Sequence, residues 1–410
     1  MTTEHVHGLR AIEALRAGVP NRDVVRAFPP SQKDVELRWQ AALERAGEGE
    51  TAPGILLEGD FGTGKSHWMA RLRHEALEAN FVVSSIVLNK ETPLHDLTKL
   101  LRAAVENAAL PERSGPALSE IAHLYNAEVS PGHTALLDWV RHPERDPRLA
   151  LTLLIFERTR DEDVQMRAVA EWMGYPMATG DLKLSLREIG EKISLIPKPL
   201  AGSAPEKFEF LARFFRAAGY AGWVLLLDET EMVSKYSQRQ RGRAYAHLAQ
   251  LSGAVKGGIP GLVCAATITK DYAGQVLHGR KNDAVLLPAK MENSRDEHLI
   301  AATIAGMKWI ERGGLDLRPL TREGVENLFE SARKLYSQAY NWQAPPLPNR
   351  REYSSSTSLR QHLRWWINAW DLLRLYHHEG ETIVENVAIS YEEDADLQSQ
   401  RAEDESQIVL

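Results

Sequence analysis

A single cysteine, Cys264, among 410 residues excludes an internal disulfide framework and any all-thiolate metal site. Long apolar runs are missing as well. None approaches the roughly 18 residues a membrane span requires, and the Leu151–Phe156 stretch is already broken by Thr152. The opening Met-Thr-Thr-Glu-His has no basic stretch leading into an apolar one, which predicts no secretory signal. His5 and His7, like His377-His378, lack the spaced partners that zinc needs. Excess charge is scarce outside one segment: the net charge is −7, and residues 391–410 hold seven acids against the one base Arg401. The rest of the chain is therefore near neutral, which neither demands nor excludes nucleic acid, because a local basic groove can hide in the average. These absences predict a cytoplasmic protein with no membrane association and a solvated acidic tail.

Hydrophobic content of 43% and charged content of 26% are ordinary for a globular chain, and the length calls for two or three packed units. Short apolar runs bounded by glycine or turn residues read as strands at 54–58, 81–88, 222–228 and 261–267, with a last candidate at Ala284–Leu287. Helical periodicity occupies 7–17, a segment starting from Ser31 as N-cap, 65–79 and 95–109. It recurs at 133–140, 147–159, 163–173 and 204–218, and again at 295–312, 321–341 and 357–378. The alternation of strand and helix predicts an α/β fold, a parallel sheet flanked by helices, interrupted by a helical insertion. The expected organisation is an N-terminal helical segment (1–50), an α/β core in two parts (51–109 and 204–292), the insertion (110–203), a lid-like C-terminal helical domain (293–385) and the acidic tail (386–410).

The most specific signal is Gly59-Asp60-Phe61-Gly62-Thr63-Gly64-Lys65-Ser66, a complete G-x-x-x-x-G-K-[ST] phosphate loop with His67 next in the chain. Its glycines let the backbone wrap a phosphate with N–H groups pointing inward, at the start of the following helix. Lys65 would reach the β- and γ-phosphates of ATP and the Ser66 hydroxyl would ligate Mg²⁺. A chance match in a chain of this length is on the order of one in a hundred, and strand-before, helix-after is the required context. Such a loop needs a second acid for the metal on a neighbouring strand. Asp228, closing the apolar run Trp223–Leu227, fits that role with Ser66, and Glu229 is the expected general base for the attacking water.

At the end of the next strand, Thr267 and Thr269 are both candidates to touch the γ-phosphate, and both equally suit a strand for their β-branching. Arg360, near the start of the last helix, is a candidate γ-phosphate sensor, and the basic stretch Arg239-Gln240-Arg241-Gly242-Arg243 is a candidate arginine finger toward a neighbouring subunit. The basic stretch reads equally as a DNA-phosphate contact or a solvated loop. Trp365, Trp366 and Trp370 read as the packed face of a helix rather than a base-stacking platform, and Cys264 as a small buried hydrophobe.

With these residues in hand, the chain resembles the ATP-binding proteins of bacteriophage-exclusion (BREX) defence systems, especially the BrxD group, which are P-loop ATPases related to AAA+ and origin-recognition ATPases. The resemblance is carried by Ala11–Asp23, Gly59–Ser66, Lys90–Asp96, Asp228-Glu229 and Arg239–Leu251, and is clearest over 8–107 and 204–272. It implies an AAA+-like core, with Gly18 and Val19-Pro20-Asn21 near the adenine and Arg360 as the second sensor arginine. It also implies partners among other defence components, including a helicase, with DNA as the ultimate target and a homo-oligomer as a candidate assembly. The leading expectation is an Mg²⁺-dependent ATPase coupling turnover to conformational change on DNA or partner proteins. The alternative is a nucleotide-gated assembly switch with little intrinsic hydrolysis. A small-molecule kinase is disfavoured, because no acceptor site is evident.

Overall fold

Four apolar runs become the central strands of one sheet. The computed structural model describes residues 3–18, 20–30, 32–60, 62–113, 115–193, 197–199, 203–255, 258–291, 296–347 and 359–377. Val19, Ser31, Phe61, His378 and the acidic tail therefore lie outside the described residues. The strands are β1 (Ile55–Glu58), β2 (Val82–Val87), β3 (Ala108–Ala109), β4 (Trp223–Asp228), β5 (Leu262–Ile268) and β6 (Gly314–Asp316). They form a six-stranded sheet in the order β3-β2-β4-β5-β1-β6. Every pairing is parallel except that of β3 on β2.

β4 and β5 are buried on both faces, which is why they read as unbroken apolar runs rather than alternating ones. The period of two still sorts their side chains. Leu225, Leu227, Ala266 and Ile268 join one core with Leu100, Phe208, Leu211 and Tyr245. Val224, Leu226, Val263 and Ala265 face the other way, onto Trp39, Trp68 and Leu72 of the Lys33–Gly47 and Lys65–Glu78 helices. Ser84, the one polar residue buried in β2, is satisfied twice: it donates to the Ala104 carbonyl and accepts from Trp223 Nε1 at 2.9 Å.

Between β3 and β4 the named elements are all helices. His133–Val140, Pro147–Arg158 and Glu162–Trp172 match their patterns, while the helices Ala117–Leu124 and Thr179–Glu188 were not anticipated. Their apolar faces, through Leu149, Phe156 and Trp172, merge with Phe210 and Phe214 of the Ala204–Ala217 helix into the core of the sheet. A separate apolar cluster joins the first described helix to the last two. Ile12 and Leu15 of the Thr3–Ala17 helix pack with Phe329 and Tyr336 of Arg322–Tyr340 and with Trp366 and Trp370 of Leu359–Tyr376. The packed-face reading of those tryptophans holds.

Three expectations are corrected. Ala284–Leu287 is no strand but part of the Asp283–Met291 helix. Leu287 is buried while Val285 and Leu286 face solvent, a one-sided pattern that a four-residue apolar run is too short to reveal. The helix assigned to Ser31 begins instead after Gln32, whose side chain donates to Asp316 O and accepts from Arg318 N, tying the helix start to β6. The arginine stretch 239–243 is not a loop: it lies within the Gln238–Leu251 helix. No helix among the described residues is long and apolar enough to cross a membrane.

Candidate functional site

The loop between β1 and the Lys65–Glu78 helix folds as its glycines demand. Gly62 (φ 78°) and Gly64 (φ 103°) occupy the left-handed region, which side chains resist. A Cβ on Gly59 would stand 2.4 Å from Thr63 Oγ1, so any side chain there would displace that hydroxyl. Lys65 opens the helix and its Nζ donates to the Gly59 carbonyl at 2.6 Å and to Asp60 O at 3.3 Å. Burial lowers the pKa of its ammonium, while Glu231, Asp228, Asp60 and Glu229 raise it.

Asp228 was expected on the strand next to β1. Instead β5 lies between, with Leu57 opposite Thr267 in register, and Thr267 bridges the gap. The Thr267 hydroxyl donates to Asp228 Oδ1 and accepts from the Glu229 backbone N–H at 3.1 Å. Asp228 Oδ1 also accepts that N–H at 3.0 Å, and Oδ2 accepts from the Ser66 hydroxyl at 3.4 Å. Glu229 itself sits at φ 61°, a left-handed conformation costing a non-glycine residue of order 1 kcal/mol. Partial burial, then the neighbouring Asp228, raise its carboxyl above the ordinary range, with Lys65, Lys235 and Arg360 opposing.

These groups converge on a cleft of about 480 Å³. Lys65, Ser66, Asp228, Glu229 and Arg360 line its polar end, and Leu15, Val24, Phe28, Leu328 and Leu363 its apolar part. The glycines Gly62 and Gly64, with Asp60 and Thr63, form the rim between. Gly18 and Pro20 line the cleft, but Asn21 does not: its Oδ1 caps the Arg22–Ala27 helix by accepting from Val24 N, and its Nδ2 donates to Arg10 O. His67 lines the cleft with Nε2 donating to the Phe28 carbonyl at 2.5 Å, and burial holds its ring below the ordinary histidine range. The final helix touches the loop directly, Leu359 N donating to Gly62 O at 3.3 Å.

Two sensor candidates separate. Neither lines the cleft: Thr267 is buried and bonded to Asp228, and Thr269 is buried beyond the strand end. Arg241 is neither a finger nor a DNA contact. It is buried, with two donations to Asp283 at 2.7 and 2.8 Å and one to Tyr236 O at 2.8 Å. Only Arg239 of that stretch is fully exposed.

One acidic residue of the cleft escaped the sequence reading. Glu231 is 7% exposed, lines the cleft, and its Oε2 makes no hydrogen bond. Burial pushes its carboxyl up to about 7, its own backbone N–H and Lys65 opposing and Asp228 and Glu229 adding. The signal was present as the acid two places after Asp228-Glu229, but only the turn Thr230–Lys235 directs it back into the cleft.

The fold and site define a mixed α/β protein whose mostly parallel sheet presents a glycine-rich loop and an acidic strand end to one cleft. The chain matches the family model described as BREX system ATP-binding protein BrxC/D over residues 7–134 and 160–353. It belongs to that family. No curated protein and no solved structure matches it.

Proposed function

We propose that this chain binds ATP with Mg²⁺ in the cleft, as a P-loop, AAA+-like ATPase, and hydrolyses it. The observation that carries the reading is the meeting of Lys65, the Ser66 hydroxyl, Asp228 and Glu229 at one end of a single cleft. Backbone N–H groups of Gly62–Ser66 would cradle the phosphates at a helix N-terminus, with Lys65 adding its charge. The apolar part of the cleft, with Gly18 and Pro20, suits the adenine.

The donor set fits Mg²⁺: a hydroxyl and a carboxylate 3.4 Å apart supply hard oxygen ligands, and such a cation takes few protein ligands beside phosphate and water. Bound there by Ser66 and Asp228, it would offset phosphate charge. Asp228 is held in place by Thr267, and Glu229 would accept the proton of the attacking water at its carboxylate. Its raised affinity for protons suits that task.

Coupling to partners follows from the roof. The last helix bonds to Gly62, and Arg16 ties the first helix to it through Asp371 at 2.7 Å. Nucleotide occupancy would therefore be felt by a bundle built from both chain ends. The same contact favours the second reading, a nucleotide-gated switch acting on other BREX components, a helicase among them, or on DNA. ATP titration by calorimetry tests the shared core: Lys65→Ala should lose at least about 100-fold in affinity, since it removes a charge-assisted contact. Equal affinity in the variant sinks the site. Turnover measured with and without duplex and single-stranded DNA, beside the solution mass with ATP, then separates motor from switch.

A further inference from the structure

Glu231 is a cost the fold carries without an internal reason. A buried carboxylate oxygen with no hydrogen-bond partner loses its hydration uncompensated, and such orphans in native proteins mark an absent water, ion or ligand. Oε2 is such an atom, on a side chain more than nine-tenths buried at the polar end of the cleft. The charged groups facing it are Lys65 from the helix after the loop and Asp228 and Glu229 from the end of β4. Lys65 Nζ is turned to the carbonyls of Gly59 and Asp60. Neutral neighbours do not complete the set either, since Thr230 Oγ1 beside it is also buried without a partner.

Whatever satisfies Oε2 must bring a hydrogen-bond donor or a positive charge. Above about pH 7, where the Glu231 carboxyl is ionised, phosphate groups offer only acceptors and would be repelled. A hydrated divalent cation offers both, because its bound waters are strong donors and its charge offsets three clustered carboxylates. We propose that Glu231 is a positioning residue for the nucleotide's divalent cation, holding its water shell at Oε2 and making ATP affinity depend on Mg²⁺. This rests on the ATP-binding reading above. The consequence has two arms of opposite sign. With Mg²⁺ the carboxylate aids binding; without it the same charge opposes the phosphates.

The test is calorimetric ATP affinity in Mg²⁺ and in EDTA, for the parent protein and Glu231→Gln. Groups that orient a metal's ligands and waters typically alter metal affinity 10- to 100-fold when replaced. The ratio of affinities with and without Mg²⁺ should therefore shrink by about 10- to 100-fold, with metal-free ATP bound more tightly than by the parent. A structural role alone would leave that ratio unmoved, since glutamine keeps the volume and an acceptor for the turn. Should glutamine be poorly tolerated, Glu231→Met carries the same expectation. An unchanged ratio in a variant that binds ATP overturns the role of Glu231 and leaves the ATP site standing. A parent protein that binds no ATP under either condition overturns both.

Discussion

Two charged clusters, one buried after β4 and one at the cleft where β4 ends, are finished differently. In the first, Asp283 accepts two bonds from Arg241 and one from Tyr245, and Tyr245 pairs with Tyr272 at 2.9 Å. The Arg148–Glu171–Lys207 cluster is closed in the same way, with Glu171 also accepting from Met177 N. In the second, Asp228 is bonded but Glu229 faces the cleft and Glu231 Oε2 has no partner. A saturated network holds architecture together; a network left open at a cleft has room for something else. The contrast separates charges bonded within the fold from charges left open at the cleft without reference to residue type, since both clusters mix acids with a cation.

The comparison can be broken from either side. The largest effect is expected in the closed cluster: Arg241→Ala would strand Asp283 and destabilise the fold by about 3–5 kcal/mol. Chemical denaturation reads this directly, and a loss under about 1 kcal/mol would mean the pair is not the keystone it looks. In the open cluster, Glu229→Gln should cut hydrolysis by about 100-fold or more while ATP still binds. Parent-like turnover there removes the general-base assignment.

The smallest effect concerns pH. Glu231 has a folded-state value of about 7 against an ordinary 4.5. Below the ordinary value both folded and unfolded chains hold the proton and nothing is lost. Between 4.5 and 7 the unfolded chain ionises first, so folding stability declines as pH rises, and above 7 the loss is complete. Metal-free Glu231→Gln should thus melt above the parent at pH 8, the gap closing as pH falls toward 5. A gap independent of pH would place the ionisation elsewhere.

How much of this was legible depends on the range of the signal. The loop Gly59–Ser66 and the run Trp223–Asp228 with Glu229 declare themselves within a few residues, because backbone wrapping and strand burial are local demands. Arg241 was illegible for the opposite reason. Its basic neighbours suggested an exposed stretch, while its partner Asp283 lies 42 residues on, in a segment whose apolar run resembled a strand. Asn21 shows the same limit at short range: a polar residue in a glycine-proline turn serves equally as ligand contact or helix cap, and here it caps.

From the amino-acid order alone came the α/β alternation, the helical insertion, the glycine-rich loop, the acidic strand end and the family resemblance. Tertiary structure decided which strand stands between the loop and the acid, which arginine is buried, that both chain ends roof one cleft, and that Glu231 turns into it. The physical reason is that the first set depends on periodicity and backbone freedom within a turn or a strand. The second depends on sheet order and on pairings such as Arg16 with Asp371, between residues 355 positions apart, which only the folded chain brings together.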